Sequence, residues 1–187
     1  MALLLNVSYS EKEQVKALGA RWNPELKRWY VTYKKGYYKL RNWFANKKSN
    51  IIVCDNLYVA EGEKECFACK KKTPVIALAT NYYVMDEDYA IFQSEDSFQL
   101  ISYVDFISSN VTMYLKERFN FFVDYSNHTK SSYYSNHCKH CGRLQGDFFV
   151  HSDVGSPFLF YSEEDAKKIR MHEIPLSYDI EISGDIA

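Results

Sequence analysis

Two pairs of cysteines, Cys66-x-x-Cys69 and Cys138-x-x-Cys141, carry the spacing that lets a tight turn aim two thiolates at one ion. Together they offer four soft sulfur donors, the set a closed tetrahedral Zn²⁺ site takes. Disulfide pairing is the competing reading, and a reducing compartment favours the metal. Residues 70–137 separate the two knuckles, so one structural ion would tie together distant parts of the chain. Gly142 follows the second pair and permits the sharp backbone such a turn needs. His137 and His140 lie beside the sulfurs as substitute ligands, but four cysteines already complete the set. Cys54 ends the apolar run Ile51-Ile52-Val53 without a partner at knuckle spacing and reads as a buried free thiol.

A zinc closed by four thiolates keeps no position for water, so this spacing describes a structural ion rather than a catalytic one. Asp147 and His151, four residues apart, are the one pair that could act as acid and base. On a strand they would share a face. No third partner, phosphate loop or nucleophile setting accompanies them, and Asp147 beside Gly146 reads most simply as a turn residue.

The elements that must position the cysteines are short. Leu3 to Val7 reads as a strand, followed by a helix capped from Ser10 and Glu13 or from Ser8 and Glu11, and stopped at Gly19. Arg21-Trp22 and Arg28-Trp29-Tyr30-Val31 predict two strands around Asn23-Pro24-Glu25. A second helix over 36–45 would place Tyr37, Leu40 and Trp43 or Phe44 on one stripe. In so small a unit Trp22 and Trp29 are expected to form much of the core. Strands are predicted at 51–54, 73–79, 81–85, 89–93 and 97–103, with a helix capped by Asp105 and running to Arg118. Residues 119–136 give no clear period. A last short helix is expected from Ser162 to about Met171, then a strand at 178–182.

The chain is thus expected to be α+β: a small N-terminal α/β module over 1–50 and a zinc-stapled antiparallel β-rich domain over 51–187. With 47% hydrophobic and 17% aromatic residues it has material for a packed core, which excludes disorder. No apolar run approaches a membrane span, and Met1–Val7 lacks the pattern of a signal sequence; a soluble, cytoplasmic protein with no membrane partner is expected.

The net charge of −1 hides an asymmetry. Residues 1–50 contain 11 Lys/Arg and 3 Asp/Glu, whereas 73–187 contain 8 and 17. A basic segment of that kind suits phosphates, with Lys16, Arg21, Lys27, Arg28, Lys34, Lys35, Arg41, Lys47 and Lys48 as candidate contacts and Tyr33 and Tyr37 as base-stacking rings. Attraction between the two halves of the chain explains the same asymmetry without nucleic acid.

Asn6-Val7, Glu11-Lys12, Ala17-Leu18-Gly19-Ala20, Trp22, Lys27 and Trp29-Tyr30-Val31 closely resemble a small domain of unknown function found in plasmid TraC-type primases and other DNA-processing proteins. Ser8 and Asn23 stand where that pattern often has Pro and Asp. A looser similarity links the turn, Lys27-x-Trp29 and the trailing helix to the HARP module of annealing helicases. These resemblances imply a nucleic-acid context of bacterial, plasmid or phage origin. The expected function is therefore a non-catalytic zinc protein, zinc-ribbon-like in its second part, that binds nucleic acid or assists DNA processing. The alternative is an adaptor or inhibitor-type protein that binds a protein partner through its acidic, Tyr-rich half.

Overall fold

The computed structural model of the chain describes residues 1–86, 90–108 and 111–186. It is mixed and strand-rich, with antiparallel strand pairs in three sheets. The chain opens with β1 (Leu3–Leu5), a 3-10 turn (Tyr9–Glu11) and α1 (Lys12–Ala17). Of the two expected capping registers it uses Ser8 and Glu11: the Ser8 amide donates to Glu11 Oε2 at 3.3 Å. The 3-10 turn ahead of α1 moves the start back and leaves Ser10 and Glu13 without that role. Gly19 ends the helical run with φ +92°. The hairpin of β2 (Arg21–Asn23) and β3 (Arg28–Val31) follows. Asn23 Oδ1 accepts from the amides of Glu25 and Leu26, the local device that Asn-Pro announces.

The second helix is a 3-10 helix, Lys34–Trp43. Its buried Tyr37, Leu40 and Trp43 recur every third residue, which is the 3-10 period, so one side carries all three. They pack on Leu3, Leu5 and Val31 from the small sheet β1-β3-β2. Trp29, half-buried, packs against this core as expected, but Trp22 does not fill it. Trp22 is 48% exposed at its rim, edge-on to Trp29 with ring centroids 5.8 Å apart. Ile52, Cys54 and Val84, from beyond residue 50, join the cluster, so the small unit closes without burying Trp22.

The large sheet contains β4 (Ile51–Val53), β5 (Asn56–Glu65), β6 (Lys72–Thr80), β7 (Tyr82–Met85), β8 (Ile91–Gln93) and β9 (Gln99–Ile107). After α2 (Val111–Phe119) come the hairpin β10 (Phe121–Ser126) and β11 (Ser131–His137), and then β12 (Leu144–Gln145). The short helices α3 (Asp147–His151) and α4 (Glu163–Ala166) precede β13 (Arg170–Pro175) and β14 (Ile180–Ile186). Among the described residues the large sheet runs β13-β5-β6-β9-β14-β4-β7-β8, and β10-β11-β12 form the third sheet.

Alternation sorts the strands' side chains into two faces. Ile51, Val53, Leu57, Val59, Ile76, Leu78, Ile180 and Ile182 bury one face beneath α2 and Phe121 of β10. On the other, Ile52 and Val84 meet the N-terminal unit, while Ala60, Val75 and Ala77 meet Val150 of α3 and Phe158. Where β6 leaves β9, the Asn136 side chain covers the open backbone: its Oδ1 accepts from Ile76 N at 2.7 Å and its Nδ2 donates to Ile76 O at 2.9 Å.

Several expectations change. Asp105 lies inside β9 rather than capping a helix, because β9 keeps pairing with β14 as far as Ile107. The unassigned stretch 119–136 is the end of α2 and the β10–β11 hairpin. Residues 147–151 are helical, not a strand, and the helix after Ser162 stops at Ala166, short of Arg170, where β13 begins to pair with β5. β5 itself gives no clean alternation because Ala60 and Gly62 are buried on its second face. The expected turn at 86–88 and the start of the strand at Tyr89 lie mostly outside the described residues.

Candidate metal centre and basic surface

Each cysteine pair sits in a hairpin turn: Cys66 and Cys69 between β5 and β6, Cys138 and Cys141 between β11 and β12. The two turns repeat one hydrogen-bond pattern. Cys66 N donates to Lys71 O and Lys70 N to Cys66 O, both at 2.9 Å. Cys138 N donates to Arg143 O and Gly142 N to Cys138 O, again both at 2.9 Å. The pattern needs a left-handed residue one place after the second cysteine, and Gly142 (φ +69°) supplies it as expected. Lys70 adopts φ +59° at the equivalent place, a strained choice for a residue with a Cβ.

The four sulfurs lie within 4.8 Å of one another, close enough to hold a metal ion. Cys66–Cys141 and Cys69–Cys138 approach to 3.7 Å. A tetrahedral ion with bonds of about 2.3 Å to sulfur needs sulfurs about 3.8 Å apart, so the spacing fits Zn²⁺ coordination. Burial opposes ionisation of Cys138, but the amides of His140 and Cys141 and the neighbouring thiols outweigh it and bring that group down to about 6. At Cys141 the Arg143 amide favours the thiolate, yet burial and the other three thiols push it up to about 11. Four crowded thiols ionise together only when a cation neutralises them. Gln145 was not singled out from sequence: it is buried and donates from Nε2 to Cys66 Sγ at 3.5 Å. Thr73 is similar, its Oγ1 accepting from Lys139 N at 3.0 Å. No spacing rule marks such supporting residues.

The neighbouring histidines are occupied elsewhere. His137 stacks on Phe122 and bonds Asp124 through Nε2 at 3.1 Å. His140 Nε2 lies 3.0 Å from Lys72 O. Cys54 is fully buried beneath the N-terminal unit, apart from the four-sulfur cluster, where burial first of all raises its thiol to about 12.

Asp147 and His151 do not act on each other. Burial raises Asp147 to about 7 against a hydrogen bond from the Tyr103 amide, and burial alone lowers His151 to about 4. The stability contributions run in opposite senses. Asp147's is complete below about pH 4 and is lost as pH rises through 7; His151's is present above about pH 6.5 and is lost as pH falls through 4. Asp147→Asn is therefore expected to stabilise the protein by about 2–4 kcal/mol near pH 8, with the gain vanishing toward about pH 4. Thermal melts across pH check this, and equal melting points at the alkaline end would refute it.

The candidate phosphate contacts divide into two groups. Lys34 is consumed by the fold: its ammonium lies 2.8 Å from Asp179 Oδ2 and 3.8 Å from Asp55 Oδ1. Arg41 pairs with Asp86, and Tyr37 is fully buried with its hydroxyl donating to Asp179 at 2.6 Å, which removes it as a stacking ring. Here the attraction between basic and acidic halves is realised. Arg28 is half-buried and bonds Leu5 O and Asn6 Oδ1. Lys16 is exposed and 3.8 Å from Glu13. Arg21, Lys27, Lys35, Lys47 and Lys48 are exposed without an ion pair among the described residues, and Tyr33 is exposed. Trp22, Trp29, Lys27 and Arg28 edge a shallow groove of about 280 Å³ with Leu5 and Ser8.

Residues 3–49 match the family model of a domain of unknown function (DUF5710). The match covers the small sheet, α1 and the 3-10 helix, and ends just before β4. No curated protein and no solved structure matches the chain. No helix among the described residues is long and apolar enough to cross a membrane.

Proposed function

We propose that the chain is a non-catalytic zinc protein that binds nucleic acid through its DUF5710-like segment, as an accessory to DNA processing. The observation that carries this reading is the half-exposed Trp22 at the rim of the groove, which Lys27 and Arg28 also line. An indole with a free face beside cations can stack on an unpaired base while the cations meet phosphates. Lys35, Lys47 and Lys48, exposed and without an ion pair among the described residues, add to the positive charge of this segment. The resemblance of residues 6–31 to a primase-associated domain supports the nucleic-acid context.

Fluorescence polarisation with labelled single-stranded and duplex DNA over a salt series tests the reading. Micromolar binding that weakens steeply with salt is expected, with a preference for the single strand. Trp22→Ala is expected to cost about 1–3 kcal/mol, or roughly 5- to 150-fold, on the single strand. A signal that is absent at micromolar protein, or indifferent to salt, would overturn direct binding.

A further inference from the structure

A second surface lies on the acidic side of the molecule. A cleft of about 1350 Å³ opens between the two cysteine turns, the tip of the β10–β11 hairpin, β9 and α3. Its volume exceeds the roughly 300–1,000 Å³ typical of small-molecule pockets and suits a length of chain. Five aromatic rings that line it are substantially exposed: Phe67, Tyr103, Tyr125, Phe148 and Phe149. So much aromatic surface gathered around one cavity marks a contact surface rather than scattered exposure.

The charges in the cleft select the occupant. Two of its cations are already neutralised, Lys70 by Glu65 at 3.9 Å and Lys72 by Glu63 at 3.3 Å. The Lys64 ammonium is held by the Phe149 carbonyl at 2.9 Å. Asp105 and Asp153 line the cleft without an ion pair among the described residues and Asp124 faces the ring of His137, against Arg143 and the carbonyl-held Lys64; Asp147 lies buried in its wall. The small excess of carboxylates favours lysine or arginine side chains over phosphates. Lys64 shows the mode of capture within the chain itself, its ammonium 5.6 Å from the centroid of the Phe149 ring as well as on the carbonyl.

The backbone adds an independent sign. Between Ser183 and Asp185, β14 advances two residues while its partner β9 advances four, from Phe106 to Ser102. Tyr103 absorbs the excess with φ +50°, a left-handed conformation costly for an aromatic residue within a strand. Gly184 lets the strands close at this bulge, since a Cβ there would lie 2.8 Å from Ser102 O. The distortion leaves the Tyr103 ring at the cleft, its hydroxyl 3.4 Å from Ser152 Oγ. Bulges of this kind re-aim side chains beside binding sites.

We propose that this cleft receives an extended, lysine- or arginine-bearing peptide segment of a partner protein, with the aromatic rings packing its side-chain stems and Asp105 and Asp153 pairing with its cations. The site is separate from the Trp22 groove, and the two stand or fall independently. The test uses the full-length, zinc-loaded chain and a fluorescein-labelled nonapeptide alternating Arg and Gly, with Glu-Gly and Ala-Gly counterparts, read by anisotropy. The Arg peptide is expected to bind at least tenfold more tightly than the Glu peptide. Asp153→Asn and Phe148→Ala, at positions open enough to leave folding intact, are each expected to weaken it about fivefold or more, while Trp22→Ala leaves it unchanged. Equal binding of the Arg and Glu peptides, or indifference to both cleft variants, would overturn the proposal. So would a labelled oligonucleotide whose binding is lost in Phe148→Ala, which would make the cleft a nucleic-acid site.

Discussion

Cys138→Ser is expected to abolish the folded state. Cys138 shares one cluster with Cys66, Cys69 and Cys141, and the two turns that carry them belong to different sheets. Structural zinc contributes about 10–16 kcal/mol of apparent binding energy in small zinc-finger peptides, comparable to the 5–15 kcal/mol that stabilises a typical domain. Losing one thiolate leaves an incomplete site and crowded sulfurs, so insoluble or unfolded protein is the expected outcome, and Cys66→Ser should behave alike. Chelation of the wild type should lower its melting point by more than ten degrees, reversibly on adding Zn²⁺. Elemental analysis is expected to find one zinc per chain. Cys54→Ala is the control: it removes a buried sulfur from the core, costs about 1–2 kcal/mol, and leaves the metal count unchanged. Freshly purified protein without zinc, or a Cys138→Ser variant that melts with the wild type, would overturn the assignment.

Asp179→Ala is expected to loosen the N-terminal unit from the large sheet. The Asp179 side chain is fully buried and accepts from Lys34 Nζ at 2.8 Å, Tyr37 Oη at 2.6 Å and the Asp55 amide at 3.2 Å. Burial alone would lower the Lys34 ammonium, yet the Asp179 hydrogen bond and nearby carboxylates hold it above its ordinary value. Without Asp179 that cation keeps the more distant Asp55 and the Tyr82 ring, and the Tyr37 hydroxyl loses its acceptor. Breaking a buried pair in this way costs about 3–5 kcal/mol, and a chain of this size loses roughly 2–4 °C of melting temperature per kcal/mol. A drop of about ten degrees is expected. Lys34→Met combined with Asp179→Leu should recover much of it, because the pair is removed together. A single variant within two degrees of the wild type would show that the pair holds nothing. The same latch guards the reading of DNA experiments: Lys34 and Arg41 variants disturb the fold, so Lys27, Lys35 and Trp22 are the informative positions.

The local devices near the N-terminus were legible because they are short-range. Gly19 at the end of α1, the Asn23 turn and the stripe of Tyr37, Leu40 and Trp43 each depend on neighbours within a few residues. The 3-10 character of that last helix was not legible, because an α-helix drawn through the same residues carries nearly the same stripe, with Trp43 or Phe44 at its end. The long insert was less legible. β10 and β11 alternate poorly, since Val123 and Tyr125 are exposed while Ser135 and Asn136 are buried, and docking against β6 is what turns Asn136 inward. Trp22 was misplaced because the core it was assigned to borrows Ile52, Cys54 and Val84 from β4 and β7, which no local pattern announces.

By itself the sequence picked out the four cysteines that cluster, because thiol spacing within a turn is a local geometric requirement that survives any arrangement of the rest. It also determined the charge contrast between the two halves. Tertiary structure alone decided how that contrast is used. It spends Lys34 and Arg41 on carboxylates of the large sheet, leaves Arg21, Lys27 and Trp22 at the surface, and opens an acidic, ring-lined cleft beside the cysteine turns. Whether a given charge is paired or free depends on partners up to 145 residues away in the chain, and that distance is closed only when the sheet assembles.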